Sequence, residues 1–582
     1  MLPFKPRLFL FLFIIFMAFE ARTQGFLKAD GKKIVNQDGE NILLRGIGLG
    51  GWMLQEGYMM KVNGQGQQNK IRSRLVELIG QEKTENFYNA WLSNHTRKID
   101  IDSLKAWGFN SVRLPMHFNL YTLPVEMEPM KDENTWIEKG FKITDSLLAW
   151  CKANKMYMIL DLHAAPGGQG NDLNISDRDA SKPSLWENEA NQHKTIALWK
   201  KLAQRYANEP WIGAYDIINE PNWGFEDPAN DKNGLKEKKN EPLRKLMIDI
   251  TTAIREVDKK HIIIIEGNGW GNNYNGILPV WDDNMVLSFH KYWNYNTQAS
   301  IQNILDAREK NNVPVWLGET GENSNVWFTD AINLLETNNI GWAWWPLKKL
   351  GNNNPMQIRS NADYEKILSY WSGKGVKPTE DEAYNGVMNL AVAAKLENTM
   401  IKRDVIDAMF RQPHSSTSIP FKTNTIKNGS VLNSVDYDLG RNGIAYYDMD
   451  TVNYQVSTGK REQWNRGGAY RNDGVDITAD SITKTNYYIT HVEDGEWLQY
   501  TINVAIGGRY DLKISYVARK QPGKFSILVN KEISEPKNIP VANDWETVEV
   551  KNIRLNKGEN KLRVIADQGG FDFKSIEFVE VR

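Results

Sequence analysis

Short runs of β-branched and aromatic residues alternate with longer amphipathic stretches between residues 42 and 350. Most of the runs are apolar at consecutive positions, which is typical of strands buried on both faces of a parallel sheet. Eight runs follow this pattern: ILLRGIGLGGW from residue 42, FNSVRLPM from 109, MYMILDLH from 156, IGAYDIIN from 212, HIIIIEG from 261, MVLSFHKYW from 285, PVWLGE from 314 and GWAWWPL from 341. Eight buried strands separated by helices predict an α/β fold, a (β/α)8 TIM barrel with its helices outside.

The pattern changes in the last third of the chain. Residues up to 412 still read as helices that complete the barrel domain, and the polar segment 413–430 reads as a linker. From 431 to 582, short alternating strands are separated by Gly, Asn and Asp turns, which predicts an all-β jelly-roll or β-sandwich domain. We therefore expect a barrel domain at 26–412 that folds and stays active without the sandwich.

The N-terminus has the pattern of a secretory signal peptide. Two basic residues in MLPFKPR precede the twelve apolar residues LFLFLFIIFMAF, and the polar EARTQG follows. The apolar run is too short for a permanent membrane span, so we expect removal of residues 1–25 and no later membrane contact. The single cysteine, Cys151, permits no intramolecular disulfide. The prediction is a secreted protein, periplasmic, extracellular or at the cell surface.

Charge and composition favour a neutral ligand. The chain has 71 basic and 72 acidic residues, and this balance gives no electrostatic reason to expect a nucleic acid or an anionic membrane as partner. It also contains 21 tryptophans, whose flat rings suit the apolar faces of sugars but equally fill cores. Composition does not predict an oligomeric state.

Two apolar runs lead into a glutamate. Glu220 follows the fourth run in AYDIINEPN, and Glu319 ends the seventh in VWLGETGEN. In a parallel barrel both side chains reach the rim at the strands' C-terminal ends, where active sites lie. Two carboxyl groups there suit cleavage of a glycosidic bond, with retention of configuration if they are ~5 Å apart and inversion at ~7 to 9 Å. For either glutamate alone, neutralising an arginine is an equal alternative.

Other polar residues fall at the ends of the same runs. They are Arg113, His163, Asn219, His290 and Tyr292. Arg113 has an alternative in a structural ion pair, and each histidine can also be a core residue with satisfied hydrogen bonds. The barrel runs contain no histidine or carboxylate cluster with metal-ligand spacing, so we expect catalysis without a metal or other cofactor.

INEP at 218–221 together with LGE at 317–319 resembles glycoside hydrolase family 5, a family of retaining (β/α)8 enzymes, over roughly residues 30 to 400. The resemblance implies that Glu220 is the general acid/base and Glu319 the nucleophile. It implies that Arg113 keeps Glu319 ionised and that Asn219 binds the sugar 2-hydroxyl. The other implied substrate-binding residues are His163, His290, Tyr292 and Trp345, with Trp344 as the alternative to Trp345.

The segment LRGIGLGGWMLQEGYM at 44–59 resembles the first strand of exo-β-1,3-glucanases within that family. This implies that Glu56 binds the non-reducing glucose and favours attack at chain ends, although a loop glutamate bonded to backbone is the alternative. Gly48 departs from the asparagine of that group. Further candidate sugar platforms, each equally able to be core, are Trp52, Trp270, Trp293 and Trp327.

In the C-terminal domain, EQWNRGGAYRNDGVDI and HVEDGEWLQYTINV resemble family 6 carbohydrate-binding modules. The positions that match the sugar site of those modules are His491, Val548 and Asp572, and all three depart from its usual residues. A second face or the core could use Tyr446, Tyr447, Trp464, Tyr470 and Tyr487. The resemblance also makes Asp436 and Asp438 in VDYD candidate ligands of a structural calcium.

These observations predict a secreted retaining β-glycoside hydrolase that acts on a β-glucan polysaccharide or oligosaccharide, with β-1,3 or β-1,6 linkages favoured. The alternatives are an endo-β-1,4-glucanase or mannanase of the same family, a transglycosylase that uses the same residues, and a catalytically silent carbohydrate-binding protein.

Overall fold

The computed structural model describes residues 25–130, 133–455, 460–480 and 485–581. All but the last residue of the predicted signal peptide therefore lies outside the described residues. Within the described ranges, no helix combines the length and the apolar character needed to cross a membrane.

Eight parallel strands close into a barrel, which confirms the predicted fold class. Each predicted run contains one strand, and we number them barrel strands one to eight in chain order. They are Arg45–Gly48, Ser111–His117, Tyr157–Ala164, Ile212–Asp216, Ile262–Glu266, Met285–Lys291, Val315–Gly321 and Gly341–Trp345. Every residue in them except Arg45 is buried, because helices cover the outside while side chains fill the inside.

The helices pack on the barrel through one apolar face. Glu241–Val257 is an example, because its buried residues Leu243, Leu246, Met247 and Ile250 recur every three or four positions. The α-helices are Gln68–His95, Lys98–Trp107, Glu138–Ala153, Glu189–Tyr206, Glu241–Val257, Asn268–Gly271, Gln302–Asn311, Asn325–Thr337, Ala362–Trp371, Glu380–Ala393 and Arg403–Phe410.

An N-terminal hairpin, Lys28–Asp30 with Lys33–Val35, covers one end of the barrel. Ile34 of this hairpin and the preceding Leu27 share an apolar cluster with residues near the start of several barrel strands. That end is opposite the rim at which Glu220 and Glu319 lie. Three further short strands, Lys348–Lys349, Met356–Gln357 and Met400–Ile401, form a small separate sheet.

The C-terminal domain is built from two packed β-sheets, as predicted. In Gly508–Ala518, every second residue from Tyr510 to Tyr516 is buried, which gives the alternation seen in the sequence. The strands are Asn424–Ile426, Ser430–Asn433, Tyr446–Tyr447, Tyr454–Gln455, Arg461–Gln463, Ile477–Ala479, Tyr487–Ile489, Trp497–Val504, Gly508–Ala518, Gly523–Val529, Glu532–Ile533, Lys537–Ile539, Ala542–Leu555, Gly558–Gln568 and Asp572–Glu580.

The domain junction differs in detail from the predicted linker. Within 413–430, strand Asn424–Ile426 pairs with Trp497–Val504 of the sandwich. The chain therefore enters the second domain before residue 431, because Ile426 contributes an apolar side chain to its core.

Candidate active site

Glu220 and Glu319 lie together at the C-terminal rim of the barrel. Glu319 is near the end of barrel strand seven, and Glu220 lies four residues beyond the end of strand four. One carboxylate oxygen of each, together with a ring nitrogen of His290, lie within 4.8 Å of one another. Only 5% of Glu220 and 6% of Glu319 is exposed. The two carboxyl groups therefore share one small, largely desolvated space.

A buried arginine holds one side of this space. Arg113, from barrel strand two, donates to Glu319 Oε2 at 2.9 Å and to Asn219 Oδ1 at 2.7 Å. Its other bonds go to Asp216 Oδ2 at 3.0 Å and Glu266 Oε1 at 3.1 Å. A fixed guanidinium in contact with a carboxylate stabilises the ionised form of that carboxylate.

The second oxygen of Glu319 also has a donor. The hydroxyl of Tyr292, one residue beyond barrel strand six, donates to Glu319 Oε1 at 2.8 Å. With Arg113 on Oε2, both oxygens of Glu319 are hydrogen-bonded, so the direction of its carboxylate is fixed.

Glu220 has a different environment. Burial, with a further contribution from Glu319, raises the pKa of Glu220 to about 6, although His290 opposes this shift. The Nδ1 atom of His290 lies 2.6 Å from Glu220 Oε1. Burial alone would lower the pKa of His290, but Glu266 and Glu220 raise it well above its ordinary value. The two carboxyl groups therefore have different hydrogen-bond partners, a guanidinium and a phenol for Glu319 and an imidazole for Glu220.

The backbone at Glu220 is held in an unusual conformation. Its φ of 43° is in the left-handed region, which a non-glycine residue adopts at a cost. The backbone N–H of Glu220 donates to Glu266 Oε2 at 2.7 Å, and this bond helps to maintain the turn. In this conformation a carboxylate oxygen of Glu220 lies within 4.8 Å of one of Glu319.

His163 and Trp345 form the opposite wall. Their rings stack with centroids 5.0 Å apart at 10°. His163 Nδ1 lies 2.8 Å from Asp161 Oδ2, and Nε2 lies 3.3 Å from Asn219 Nδ2. Burial would lower the pKa of His163, but Asp161 and then Glu56 raise it to about 10. This wall is therefore flat, and the amide nitrogen of Asn219, whose oxygen accepts from Arg113, faces Nε2 of His163.

Gly48 is required by the position of Trp345. A Cβ atom at residue 48 would lie 2.4 Å from Cε3 of the Trp345 ring. The asparagine found there in the exo-β-1,3-glucanase group would not fit without moving the ring. Trp344, the alternative platform, is fully buried and packs against Trp327 and Phe328.

Glu56 reaches the same wall from the loop after barrel strand one. Its Oε1 lies 3.8 Å from His163 Nε2, and 6% of the residue is exposed. Burial raises the pKa of Glu56 to about 7, with His163 opposing the shift. The observed partner of this carboxyl group is thus a side chain at the site.

The four other candidate tryptophans fall into two groups. Trp52 and Trp327 are core residues, 2% and 0% exposed, with their ring N–H groups bonded to backbone carbonyls. Trp270 and Trp293 are partly exposed near the rim and have φ values of 59° and 51°. Only the second pair remains available for sugar contacts.

Three buried acids at the site were not identified from the sequence. They are Asp161, Asp216 and Glu266, on barrel strands three, four and five, and each is fully buried near Arg113. Burial, followed by the charge of Glu266, raises the pKa of Asp216 well above its ordinary value. A carboxylate near the end of an otherwise apolar run was the available signal, as it was for Glu319.

The cluster of Glu220, His290 and Glu319 also has a spacing at which a metal ion could be held, which the sequence pattern did not indicate. Its donor atoms are otherwise engaged. Glu220 bonds to His290, while Arg113 and Tyr292 occupy both oxygens of Glu319. A guanidinium in contact with the carboxylate also disfavours a cation, so the residues present do not fit a metal.

The calcium candidates in the C-terminal domain have protein partners. Asp436 lies 3.0 Å from Lys422 Nζ and accepts from the Tyr470 hydroxyl at 2.6 Å. Asp438 accepts from Thr501 N at 2.7 Å and Thr501 Oγ1 at 2.8 Å. A structural calcium stays a prediction, and the lysine ammonium beside Asp436 argues against it.

The candidate sugar-binding residues of the C-terminal domain also differ in exposure and in their hydrogen-bond partners. Tyr446 is buried, whereas Tyr447 and Trp464 are each 40% exposed. Asp572 bonds to Arg519 at 2.8 Å and to Thr490 at 2.8 Å, so its carboxylate is already engaged.

A (β/α)8 barrel that brings two carboxyl groups together at its C-terminal rim has the arrangement of a glycoside hydrolase. Comparison with known proteins agrees, because residues 69–351 match the family Cellulase (glycosyl hydrolase family 5). Residues 471–577 match a carbohydrate-binding module of family 35. The protein is a glycoside hydrolase whose barrel is similar to family 5 and whose C-terminal domain is similar to carbohydrate-binding modules. The resemblance of that module to family 6 stays a prediction.

Several known proteins are similar to this chain. A β-xylosidase of Phanerodontia chrysosporium is 28% identical over 379 residues, which cover 59% of this chain and 75% of that protein. Endoglucanase C of Acetivibrio thermocellus is 25% identical over 313 residues, 43% of this chain and 83% of that protein. A probable glucan 1,3-beta-glucosidase A of Aspergillus niger is 25% identical over 187 residues, 32% of this chain and 42% of that protein.

Proposed function

We propose that this protein hydrolyses β-glucans with net retention of anomeric configuration, using Glu319 as nucleophile and Glu220 as general acid/base. The observation that carries the proposal is the approach of the two carboxyl groups, whose nearer oxygens lie within 4.8 Å. Retaining enzymes need the two groups ~5 Å apart, whereas inverting enzymes leave room for a water molecule between carboxylate and sugar.

In the first step, Glu319 attacks the anomeric carbon while Glu220 gives its proton to the departing glycosidic oxygen. The C–O bond to the leaving sugar breaks and an ester between the sugar and Glu319 forms. In the second step, ionised Glu220 removes a proton from water, and the resulting attack on the anomeric carbon releases Glu319.

The neighbouring residues support these two roles. Arg113 and Tyr292 each donate to one oxygen of Glu319 and so orient its carboxylate. Asn219, held by Arg113, is available for the sugar 2-hydroxyl. The ring of Trp345 is 3% exposed and stacks on His163, so it supports the wall on which the same sugar would lie.

The preference for β-glucan rests on the resemblance to exo-β-1,3-glucanases and on relatives named as a glucan 1,3-beta-glucosidase and an endoglucanase. The β-xylosidase relative makes xylan a substrate to test, as are cellulose and mannan. We also propose secretion, which the N-terminal pattern of charge and apolar residues supports.

The first experiment is a product time course on laminarin, pustulan, carboxymethylcellulose, mannan and xylan, with the first-formed anomer identified by proton NMR. We expect laminarin or pustulan to be cleaved and the β-anomer to appear before mutarotation. An α-anomer formed first would contradict double displacement. Activity confined to xylan or mannan would overturn the glucan assignment alone, and longer products with added acceptor sugars would indicate transglycosylation.

End recognition gives a separate prediction. Glu56→Ala should slow release of glucose from laminarin about 10- to 100-fold, the effect expected when a charged hydrogen bond to a sugar hydroxyl is lost. Glu56→Gln is the matched control, because it keeps the side-chain shape and part of the hydrogen bonding. An unchanged product profile for Glu56→Ala would show that the carboxyl group does not select chain ends.

A further inference from the structure

Two loops determine how Glu319 is held. The first follows barrel strand six and carries Tyr292, whose hydroxyl bonds to Glu319. The second follows barrel strand seven, which carries Glu319 itself. The two loops are joined by the ring N–H of Trp293, which donates to the carbonyl of Glu322 at 2.9 Å. The relative position of these loops therefore sets the geometry of the proposed nucleophile.

The C-terminal domain contacts the first loop directly. The backbone N–H of Gln455 donates to the carbonyl of Trp293 at 2.8 Å. The ring of Tyr454 packs on that of Tyr295, with centroids 4.6 Å apart, and the Tyr295 hydroxyl bonds to the carboxylate of Glu462. Three contacts thus connect a separate two-stranded sheet of the C-terminal domain to the loop beside the active site.

The second loop is held by a buried polar network. Asn323 donates to the carbonyl of Asn453 at 2.7 Å and accepts from its backbone N–H at 3.0 Å. Asn325 donates to Asp473 Oδ1 at 2.7 Å, and Asn472 donates to the carbonyl of Asn323 at 2.9 Å. Buried polar groups are costly to leave unpaired, so these contacts resist separation of the domains.

Apolar packing crosses the junction at the same place. Val452 of the C-terminal domain belongs to the main barrel core, and Val326 of the barrel packs against the sandwich core. The interface therefore argues against the expectation that the barrel stays folded and active without the sandwich.

The barrel holds the first loop from the other side. The ammonium of Lys291 donates to the carbonyl of Tyr295 at 3.1 Å and to Asn296 Oδ1 at 2.7 Å. Trp293, between these anchors, has a φ of 51°, a conformation that persists only when its surroundings impose it. The loop is thus fixed between Lys291 and the sandwich.

We propose that the C-terminal domain is a positioning part of the catalytic site, with Tyr454 as the residue that keeps the Tyr292 loop in place. The inference rests on the proposed function, because it assigns the domain an effect on Glu319. Misplacement of a catalytic group by about 1 Å can cost about 100-fold in rate, so a loop held less firmly lowers kcat even for a substrate that does not touch the second domain.

The test compares full-length wild type with Tyr454→Ala on 4-nitrophenyl β-glucoside, β-cellobioside and β-xyloside. We expect kcat to fall about 10-fold with KM changed less than about twofold. Tyr454→Phe should restore wild-type kcat, because it keeps the ring against Tyr295. Tyr488→Ala is the matched control, since it removes a ring contact of similar distance, with Trp545 at 5.1 Å, inside the sandwich.

Hydrogen–deuterium exchange provides a readout that needs no activity. Amides at 291–296 should exchange at least about fivefold faster in Tyr454→Ala, with other barrel peptides unchanged. Equal kcat and equal exchange in wild type and Tyr454→Ala would overturn the inference. So would a loss on polysaccharide alone, because it would mean that the domain acts only by binding glycan. If the wild type were inactive on every substrate, the proposed function would be contradicted. The exchange rates of amides 291–296 would still test whether Tyr454 holds the loop in place.

Discussion

Glu319→Gln is expected to lower kcat on laminarin roughly 10⁵-fold, because an amide neither attacks the anomeric carbon nor carries the negative charge of a nucleophile. The variant should remain folded. Arg113 loses one charged partner but keeps its contacts with Asp216 and Glu266, so its charge stays paired. Product formation and thermal unfolding of purified wild type and variant would measure the two effects.

A matched variant isolates the role of the carboxylate. Glu322→Gln removes an acid three residues further along the same loop, where it pairs with Lys349 at 2.6 Å, and should cost less than about 10-fold. In Glu319→Gly, added azide should react from the vacated side and give the α-glycosyl azide. A Glu319→Gln variant with wild-type turnover on an unactivated glucan would show that another residue is the nucleophile.

The barrel was predictable because its strands are buried on both faces. Continuous apolar runs such as that of Ile262–Glu266 occur where side chains meet helices outside and a packed core inside. The sandwich was predictable for the opposite reason, since Gly508–Ala518 alternates between core and surface. In both domains the hydrophobic pattern follows directly from which sides of a strand are covered.

The charge network around Arg113 was only partly predictable. Asp161, Asp216 and Glu266 lie far apart in the sequence and meet because consecutive barrel strands pair side by side, with Asp161 directly opposite Asp216. Each acid lies within or at the end of an otherwise apolar run, a signal similar to the one that identified Glu319. The sequence did not indicate that these three acids share the guanidinium of Arg113, because that depends on which barrel strands lie close together.

Aromatic residues and domain contacts were the least predictable features. The sequence alone does not distinguish a tryptophan that fills the core, such as Trp52, from one that lies at the rim, such as Trp293. The junction residues Asn323, Asn453 and Asn472 are polar, so from the sequence alone they resemble exposed loop residues. Their burial follows from long-range pairing, which no periodicity along the chain records.

Glu220→Ala is expected to reduce kcat/KM on laminarin about 10²- to 10⁴-fold, which is the rate factor that a general acid usually contributes. The same variant should lose less than about 10-fold in kcat/KM on 2,4-dinitrophenyl β-glucoside, because that leaving group departs without a proton. Its kcat should fall further, since the second step lacks a base, and azide should restore it with formation of the β-glycosyl azide. Glu220→Gln serves as the isosteric control and should show the same dependence on leaving group.

The pH profile gives an independent test of the same assignment. Burial raises the pKa of Glu220 to about 6, so the proton needed in the first step is present below that value and is lost as the pH rises through it. The kcat/KM of wild type on laminarin should therefore fall on the alkaline side with an apparent pKa of about 6, and this limb should disappear in Glu220→Ala on the dinitrophenyl substrate.

The His290→Ala variant gives a more specific test. It removes the partner that opposes the upward shift of the Glu220 pKa, so the alkaline limb should move to higher pH. An alkaline limb that stays in Glu220→Ala would assign the essential proton to another group at the site.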